Sequence, residues 1–371
     1  MTGSIVIRGG RLLLDGSWVE RDLAIVDGTI VDGTALGDHR DGAVFDLDGA
    51  LVAPGLVDLQ CNGAAGVDLR AEPERLWDTS AALPRWGVTA WLPTIVTSTP
   101  DVVIRAMETL RDGPPDGWTG AEPLGLHLEG PFLAPEAAGA HPIDLLRPPT
   151  MSAIDTWSRA SGVAMVTLAP ELAGALDVIG TLVERGVVVS IGHSMASAGE
   201  VDAAIEAGAR SVTHLFNAMS PIHHRAPGVA GAALADDRLA VGLIADGIHV
   251  DPRMVRVAAR ASADRLVLVS DAVALLGMEG VDTSDGVRLS DGTLAGSVLP
   301  LVQAVQNLVD YARCTPAHAL DAASRTPAAL LDVRDRGSLH PGARGDAVVL
   351  DDQLGLVATV VGGEIVHDTR R

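Results

Sequence analysis

The stretch VVVSIGHSMASAGEVDAAIEAGARSVTHLFN (187–217) decides the fold. It opens on a continuous apolar run that stops at His193. An Ala-rich amphipathic segment, GEVDAAIEAGA, follows. A second apolar run, SVTHLFN, then carries His214 and ends at Asn217. Apolar runs without alternation read as strands buried on both faces, and a helix between two of them makes the pair parallel. The same unit recurs in both directions. Eight such runs stand in the chain: LVAPGLVDL (51–59), VTAWLPT (88–94), LGLHLEG (124–130), VAMVTLAPE (163–171), VVVSIGH (187–193), SVTHLFN (211–217), LAVGLIAD (239–246) and RLVLVSD (265–271). Helix-like stretches such as PRMVRVAARASA separate most of them. Eight strand–helix units over 53–336 have the size of a (β/α)8, TIM-like barrel, an α/β fold.

The flanks have another texture. SIVIRGGRLLL and LAIVDGTIV near the start, and GDAVVLDD and LVATVVGGEIVHD near the end, alternate apolar and polar residues between Asp-Gly and Gly-Gly turns. Such patterns read as short strands and hairpins. Residues 1–52 and 337–371 are therefore expected to pair as a small, discontinuous β-sandwich domain beside the catalytic barrel of 53–336.

Polar chemistry collects where the barrel runs end. Gln60 and Asn62 follow the first, Glu129 ends the third and His193 the fifth. His214 lies in the sixth, with Asn217 after it. Asp246 and His249 follow the seventh, and Asp271 ends the eighth. The C-terminal ends of the strands are where a barrel carries its active site. Glu129, His193 and His214 form a carboxylate–imidazole–imidazole set, the donor type of a catalytic zinc-like centre that keeps one position open. Asp271 is the natural base beside it.

Composition narrows the chemistry. Basic residues number 27 and acidic residues 48, for a net charge of -21. Every basic residue is arginine; the chain has no lysine. Schiff-base, pyridoxal-phosphate and P-loop chemistry are excluded, as is a carboxylated lysine bridging two metals. The acidic balance argues against nucleic acid and anionic membrane as partners. No signal-peptide pattern opens the chain, and two cysteines, Cys61 and Cys314, cannot form a disulfide framework. A cytoplasmic location is the expectation.

The motifs carry a resemblance. APGLVDLQCNG (53–63), HLEGPFL (127–133), GAHP (139–142), IGHS (191–194), THLFNAM (213–219), HHRAPG (223–228), DGIHV (246–250), SDAV (270–273) and LAGS (294–297) run in order over nearly the whole chain. In these it resembles the N-acetylglucosamine-6-phosphate deacetylase family of the amidohydrolase superfamily. The resemblance implies metal-dependent hydrolysis of the acetamide of N-acetyl-D-glucosamine 6-phosphate. Glu129, His193 and His214 then match the metal ligands. Asp271 matches the base that takes a proton from the attacking water and returns it to the leaving amine. His249 matches the group that polarises the acetyl carbonyl. His141, with Ala140 beside it, is similar to a residue facing sugar hydroxyls. Asn217, Ala218, Leu294, Ala295 and Gly296 resemble substrate-lining segments. Arg225, assisted by His224, matches a residue that reaches the sugar phosphate in the neighbouring active site, which implies a homodimer.

The chain also departs from its superfamily. Most amidohydrolases end the first strand in His-x-His, which holds a second metal. Gln60 and Asn62 stand there instead, and a neutral amide is a poor transition-metal ligand beside imidazole. One divalent metal per chain is expected, zinc before iron, manganese or cobalt. Gln60 and Asn62 either orient water or the acetamide, or close the strand-one turn. Cys61 should point away from them by alternation. His127 reads as packing or support behind Glu129, and His39, His340 and His367 as chemically idle. Competing readings are the same chemistry on N-acetylgalactosamine 6-phosphate or an N-acyl amino acid, and a non-catalytic sugar-phosphate binder.

Overall fold

The computed structural model describes residues 3–32 and 43–370; His39 lies outside them. Eight parallel strands form the barrel: β1 (Leu56–Cys61), β2 (Val88–Val96), β3 (Leu126–Glu129), β4 (Val163–Leu168), β5 (Val188–Ile191), β6 (Ser211–Val212), β7 (Ala240–Leu243) and β8 (Leu266–Leu268). Each pairs in parallel with its successor. The ring closes beyond the ends of β8 and β1. There the Asp271 N–H donates to the Gln60 carbonyl at 2.9 Å, and the Asn62 N–H to that of Ala272 at 2.7 Å. These closing bonds run through the backbone of three candidate site residues.

Near-total burial explains why the strands read as unbroken apolar runs. Every residue of β1, β3, β4 and β5 is buried. The expected helix after β5 spans Ala198–Glu206 and starts with a capping box. Ser197 accepts from the Glu200 N–H, and Glu200 reaches back to the Ser197 N–H. That reciprocal pairing satisfies two otherwise orphaned donors. PRMVRVAARASA likewise forms the helix Pro252–Ser262, capped by Asp251. The connection after β3 differs. Among the described residues it holds 3-10 turns (Pro135–Ala137, Ile143–Leu145, Met151–Ile154, Arg159–Ser161) rather than an α-helix.

The first apolar run divides in two. Leu51–Pro54 is a strand of a six-stranded sheet with Arg11–Leu14, Ser17–Glu20, Ala347–Leu350, Leu356–Val361 and Glu364–Asp368. After Gly55 the chain enters the barrel as β1. A Cβ on Gly55 would collide with the Thr89 side chain, so only glycine permits the close approach at this crossing. A four-stranded sheet (Thr29–Val31, Leu23–Val26, Ser4–Arg8, Ala43–Asp46) faces the first. Ile5, Ile7, Ile25, Val349 and Val360 fill the space between them. The chain ends thus form a β-sandwich with its own core. Gly362 and Gly363, both at positive φ, make the hairpin turn of its last two strands.

An ion network with Arg336 and Asp346 buried at its centre joins sandwich to barrel. Arg336, with its side chain 4% exposed, donates to Glu122 and Asp335 at 2.6 Å and lies 3.5 Å from Asp346. Arg344 bridges Glu122 and Asp346 at 2.7 and 3.0 Å. Glu122 sits on a short strand paired to β2, while Asp346 immediately precedes a sandwich strand. Removing Arg336 leaves the buried Asp346 with Arg344 as its remaining cation, while Glu122 and Asp335 stay in contact with water. Arg336→Ala should lower unfolding free energy by about 1–2 kcal/mol while the folded fraction keeps its activity. A denaturant titration checks this; an unchanged midpoint would show that the network contributes nothing.

Candidate active site

Three strand ends aim their side chains at one point. Glu129 closes β3, His193 follows β5 and His214 follows β6. The Nε2 atoms of His193 and His214 lie 3.2 and 3.1 Å from Glu129 Oε1, and 3.1 Å from each other. All three residues are buried. His193 (φ 48°), His214 (φ 30°) and Asp271 (φ 49°) leave their strands in the left-handed region. Side chains with a Cβ adopt that region at a cost of order 1–3 kcal/mol. Three such residues around one point mark a site where packing overrules local preference.

The donor set fits a cation. The His193 Nδ1–H donates to the Ala137 carbonyl at 2.8 Å, which leaves Nε2 as a lone pair facing the centre. Donors about 2.0–2.1 Å from a tetrahedral zinc stand about 3.3 Å apart, close to the separations here. Electrostatics agree. Burial alone would raise Glu129, but the imidazoles hold it well below the usual carboxylate range. Burial opposes charge on His214, yet Glu129 raises that imidazole. The centre asks for positive charge. Gathered within 4.8 Å, these donor atoms are the one group of its kind among the described residues.

Asp271 stands apart from the trio and is held by amides. The Gln60 side-chain N–H2 donates to Glu129 Oε1 at 2.9 Å and to Asp271 Oδ1 at 3.1 Å. Asn62 donates to the same Asp271 oxygen at 2.8 Å. With carboxylate oxygens as acceptors, both amides must present nitrogen. Gln60 is thus a neutral spacer between two carboxylates, and Asn62 Oδ1 is left buried without a protein partner. Burial, then the Glu129 charge, push Asp271 up to about 6.

A cavity of about 580 Å³ opens above these groups, within the usual range for small ligands. Asn62, Glu129, Ala140, His141, His193, His214, Asn217, Ala218, His249, Asp271, Leu294, Ala295 and Gly296 all line it. His249 donates from Nδ1 to Asp246 at 2.6 Å, leaving Nε2 free on a cavity-lining ring. His141 Nδ1 accepts from the Thr97 hydroxyl at 2.8 Å, which leaves Nε2 as the donor. Burial and the neighbouring His193 bring His141 down to about 3, so it is neutral. Gln60 lies below the cavity, 2% exposed. His224 and Arg225 are not brought to it. They lie in the exposed run 221–227, and the Arg225 guanidinium contacts His224 Nε2 at 2.8 Å.

Other residues settle as bystanders. His127 donates to the Leu59 carbonyl and accepts from the Thr167 hydroxyl at 3.1 and 2.7 Å, in a hydroxyl layer under the site. Burial lowers it to about 4. Cys61 is buried with Sγ on the Gly63 carbonyl, and burial pushes its thiol up. The PEAAGAH segment (135–141) is tied down. The Ala134 N–H bonds to the His193 carbonyl, and the Ala137 carbonyl holds the His193 ring.

The general family model for amidohydrolases matches residues 51–366. The chain belongs to the amidohydrolase family. It is 38% identical to the human N-acetylglucosamine-6-phosphate deacetylase, over 98% of this chain and 94% of that protein. It is 36% identical to an Escherichia coli N-acetylgalactosamine-6-phosphate deacetylase, over 97% of this chain and 98% of the other. Among solved structures it matches a mutant N-acetyl-D-glucosamine-6-phosphate deacetylase from Mycobacterium smegmatis, in complex with N-acetyl-D-glucosamine 6-phosphate. That match has a TM-score of 0.86 and 33% identity, over 98% of this chain and 99% of that one.

One residue of this amidohydrolase escaped the sequence reading. Asp58 lies in β1, 1% exposed. Its carboxylate accepts from the backbone N–H groups of Gln60 and Ser270 at 3.2 Å, and from the Ser270 hydroxyl at 2.5 Å. It therefore clamps the ends of β1 and β8, fixing Gln60 and Asp271 relative to each other. Burial raises it to about 6. The available signal was a charge inside the apolar run LVDL. Asp58→Asn should cut kcat about tenfold with KM little changed, the pattern of a misplaced reacting group. Steady-state kinetics check this, and wild-type kcat would refute the clamp.

Proposed function

We propose that this chain hydrolyses the acetamide of N-acetyl-D-glucosamine 6-phosphate, releasing D-glucosamine 6-phosphate and acetate. The observation that carries the reading is the split between two groups at the cavity floor. Glu129, His193 and His214 converge as a donor trio, while Asp271 is kept apart by the Gln60 and Asn62 amides. Hydrolysis of an unactivated amide needs both an electrophilic centre and a separate base. The names of relatives at 33–38% identity supply the substrate class.

Glu129, His193 and His214 would hold one divalent transition metal, most readily zinc. Such a cation acts as a Lewis acid and lowers the pKa of water toward ~7. Asp271 accepts a proton from the attacking water and returns it to the sugar nitrogen as the C–N bond breaks. The two amide donors fix its carboxylate for both transfers. His249 gives its Nδ1–H to the Asp246 carboxylate and, with both ring nitrogens protonated, donates from Nε2 to the acyl oxygen as negative charge develops there. Neutral His141 offers Nε2–H to sugar hydroxyls. Asn217, Ala218 and the Leu294–Gly296 segment bound the sugar ring. Asn62, whose Oδ1 has no protein partner, orients the water or the acetamide, and Gln60 beneath holds the two carboxylates apart.

Arg225 and His224 serve the neighbouring copy in a homodimer. Their exposure outside their own cavity leaves the guanidinium accessible to a second copy, which supports this. Free Cys61 and Cys314 support a reducing, cytoplasmic setting; no described helix is long and apolar enough to cross a membrane.

The test is acetate release from N-acetylglucosamine, its 6-phosphate and N-acetylgalactosamine 6-phosphate, with and without chelator. The glucosamine 6-phosphate precursor should be fastest, and chelator should abolish release. Asp271→Asn should keep fold and metal and lose turnover about 10²–10⁴-fold. A faster galactosamine epimer would move the substrate assignment. Release that survives chelation, or activity retained in Asp271→Asn, would overturn the mechanism.

A further inference from the structure

The cavity contains one guanidinium, and it belongs to none of the groups discussed so far. Arg70 lines the cavity mouth near His141, on the loop that follows β1. It is the sole arginine among the cavity-lining residues, which also include Asp68 and Glu136. The loop is rigid. The backbone N–H groups of Ala65 and Gly66 donate to Leu276 and Ala274 at 2.8 Å, and the flanking Val67 and Leu69 are buried in the core. Arg70 also donates its own backbone N–H to Asp68 Oδ1 at 2.9 Å. Its guanidinium has no hydrogen bond or ion pair among the described residues. Of the acids that follow it in the chain, Glu72 and Asp78 pair with Arg75 and Glu74 with Arg105. In a chain of charge -21, an exposed and unpaired arginine that lines a ligand cavity from a well-anchored loop is suited to an anion. Apart from Arg70 and the histidines, the ionisable side chains lining the cavity are the carboxylates Asp68, Glu129, Glu136 and Asp271.

We propose that Arg70 binds the phosphate of the phosphosugar substrate from within the same subunit. It would thereby set the preference for phosphorylated over neutral N-acetylhexosamines, opposite the contact delivered by Arg225 of a second copy. This rests on the phosphosugar reading above.

The test is steady-state kinetics of Arg70→Gln and Arg70→Lys on N-acetylglucosamine and its 6-phosphate, with thermal melts as a fold control. Arg70→Gln should raise KM for the 6-phosphate about tenfold or more, with kcat nearly unchanged. The neutral sugar should stay within about twofold in kcat/KM. Arg70→Lys should recover part of the lost affinity, since a point charge replaces the fork incompletely. Competitive inhibition by inorganic phosphate should weaken in step. Equal losses on both sugars would mean that Arg70 merely shapes the loop, and no loss on either would mean that it is idle; both overturn the proposal. A wild type without preference for the phosphorylated sugar would instead overturn the phosphosugar reading, and this inference with it.

Discussion

A carboxylate that is 2% exposed cannot stand alone. Glu129 pays its desolvation only if positive charge or strong donors surround it. The rest of the site follows from that constraint. His193 and His214 leave their strands in a strained left-handed conformation to bring Nε2 within 3.2 Å of Glu129. Gln60, at the end of β1, gives it a neutral donor. A chain without lysine has no carbamate to offer at this position. A permanent carboxylate is the remaining choice, and the barrel supplies a dry floor on which to hold it.

The same logic separates the two acids. Asp271 stays distinct from the trio because one amide nitrogen spaces it from Glu129 and a second donates to the same Asp271 oxygen. Asp58 beneath them locks the two strand ends on which that spacing depends. The barrel closes through the backbone at the same place, so ring closure and site geometry are one structural event.

Much of this was legible before any coordinates. Buried parallel strands leave unbroken apolar runs, and reactive groups at their C-terminal ends stand out against them. Glu129, His193, His214, Asp271, His141 and His249 all read correctly as strand-end or loop residues, and the cavity gathers them. What stayed hidden depends on contacts between distant segments. LVAPGLVDL looks like one strand, but Gly55 lets it cross from sandwich to barrel. The connection after β3 forms 3-10 turns because it wraps the His193 ring instead of covering the sheet. Arg70 carries no motif; its meaning comes from the pairing of its acidic neighbours with other arginines.

The central claim is that three residues on three strand ends build one cation centre, with an amide pair where a second could have been. Elemental analysis of protein purified without chelator tests it most directly, run beside the His193→Ala/His214→Ala double variant. The account predicts about one divalent transition metal per chain in the wild type and almost none in the variant. Two metals per wild-type chain, or one that survives loss of both imidazoles, would contradict it.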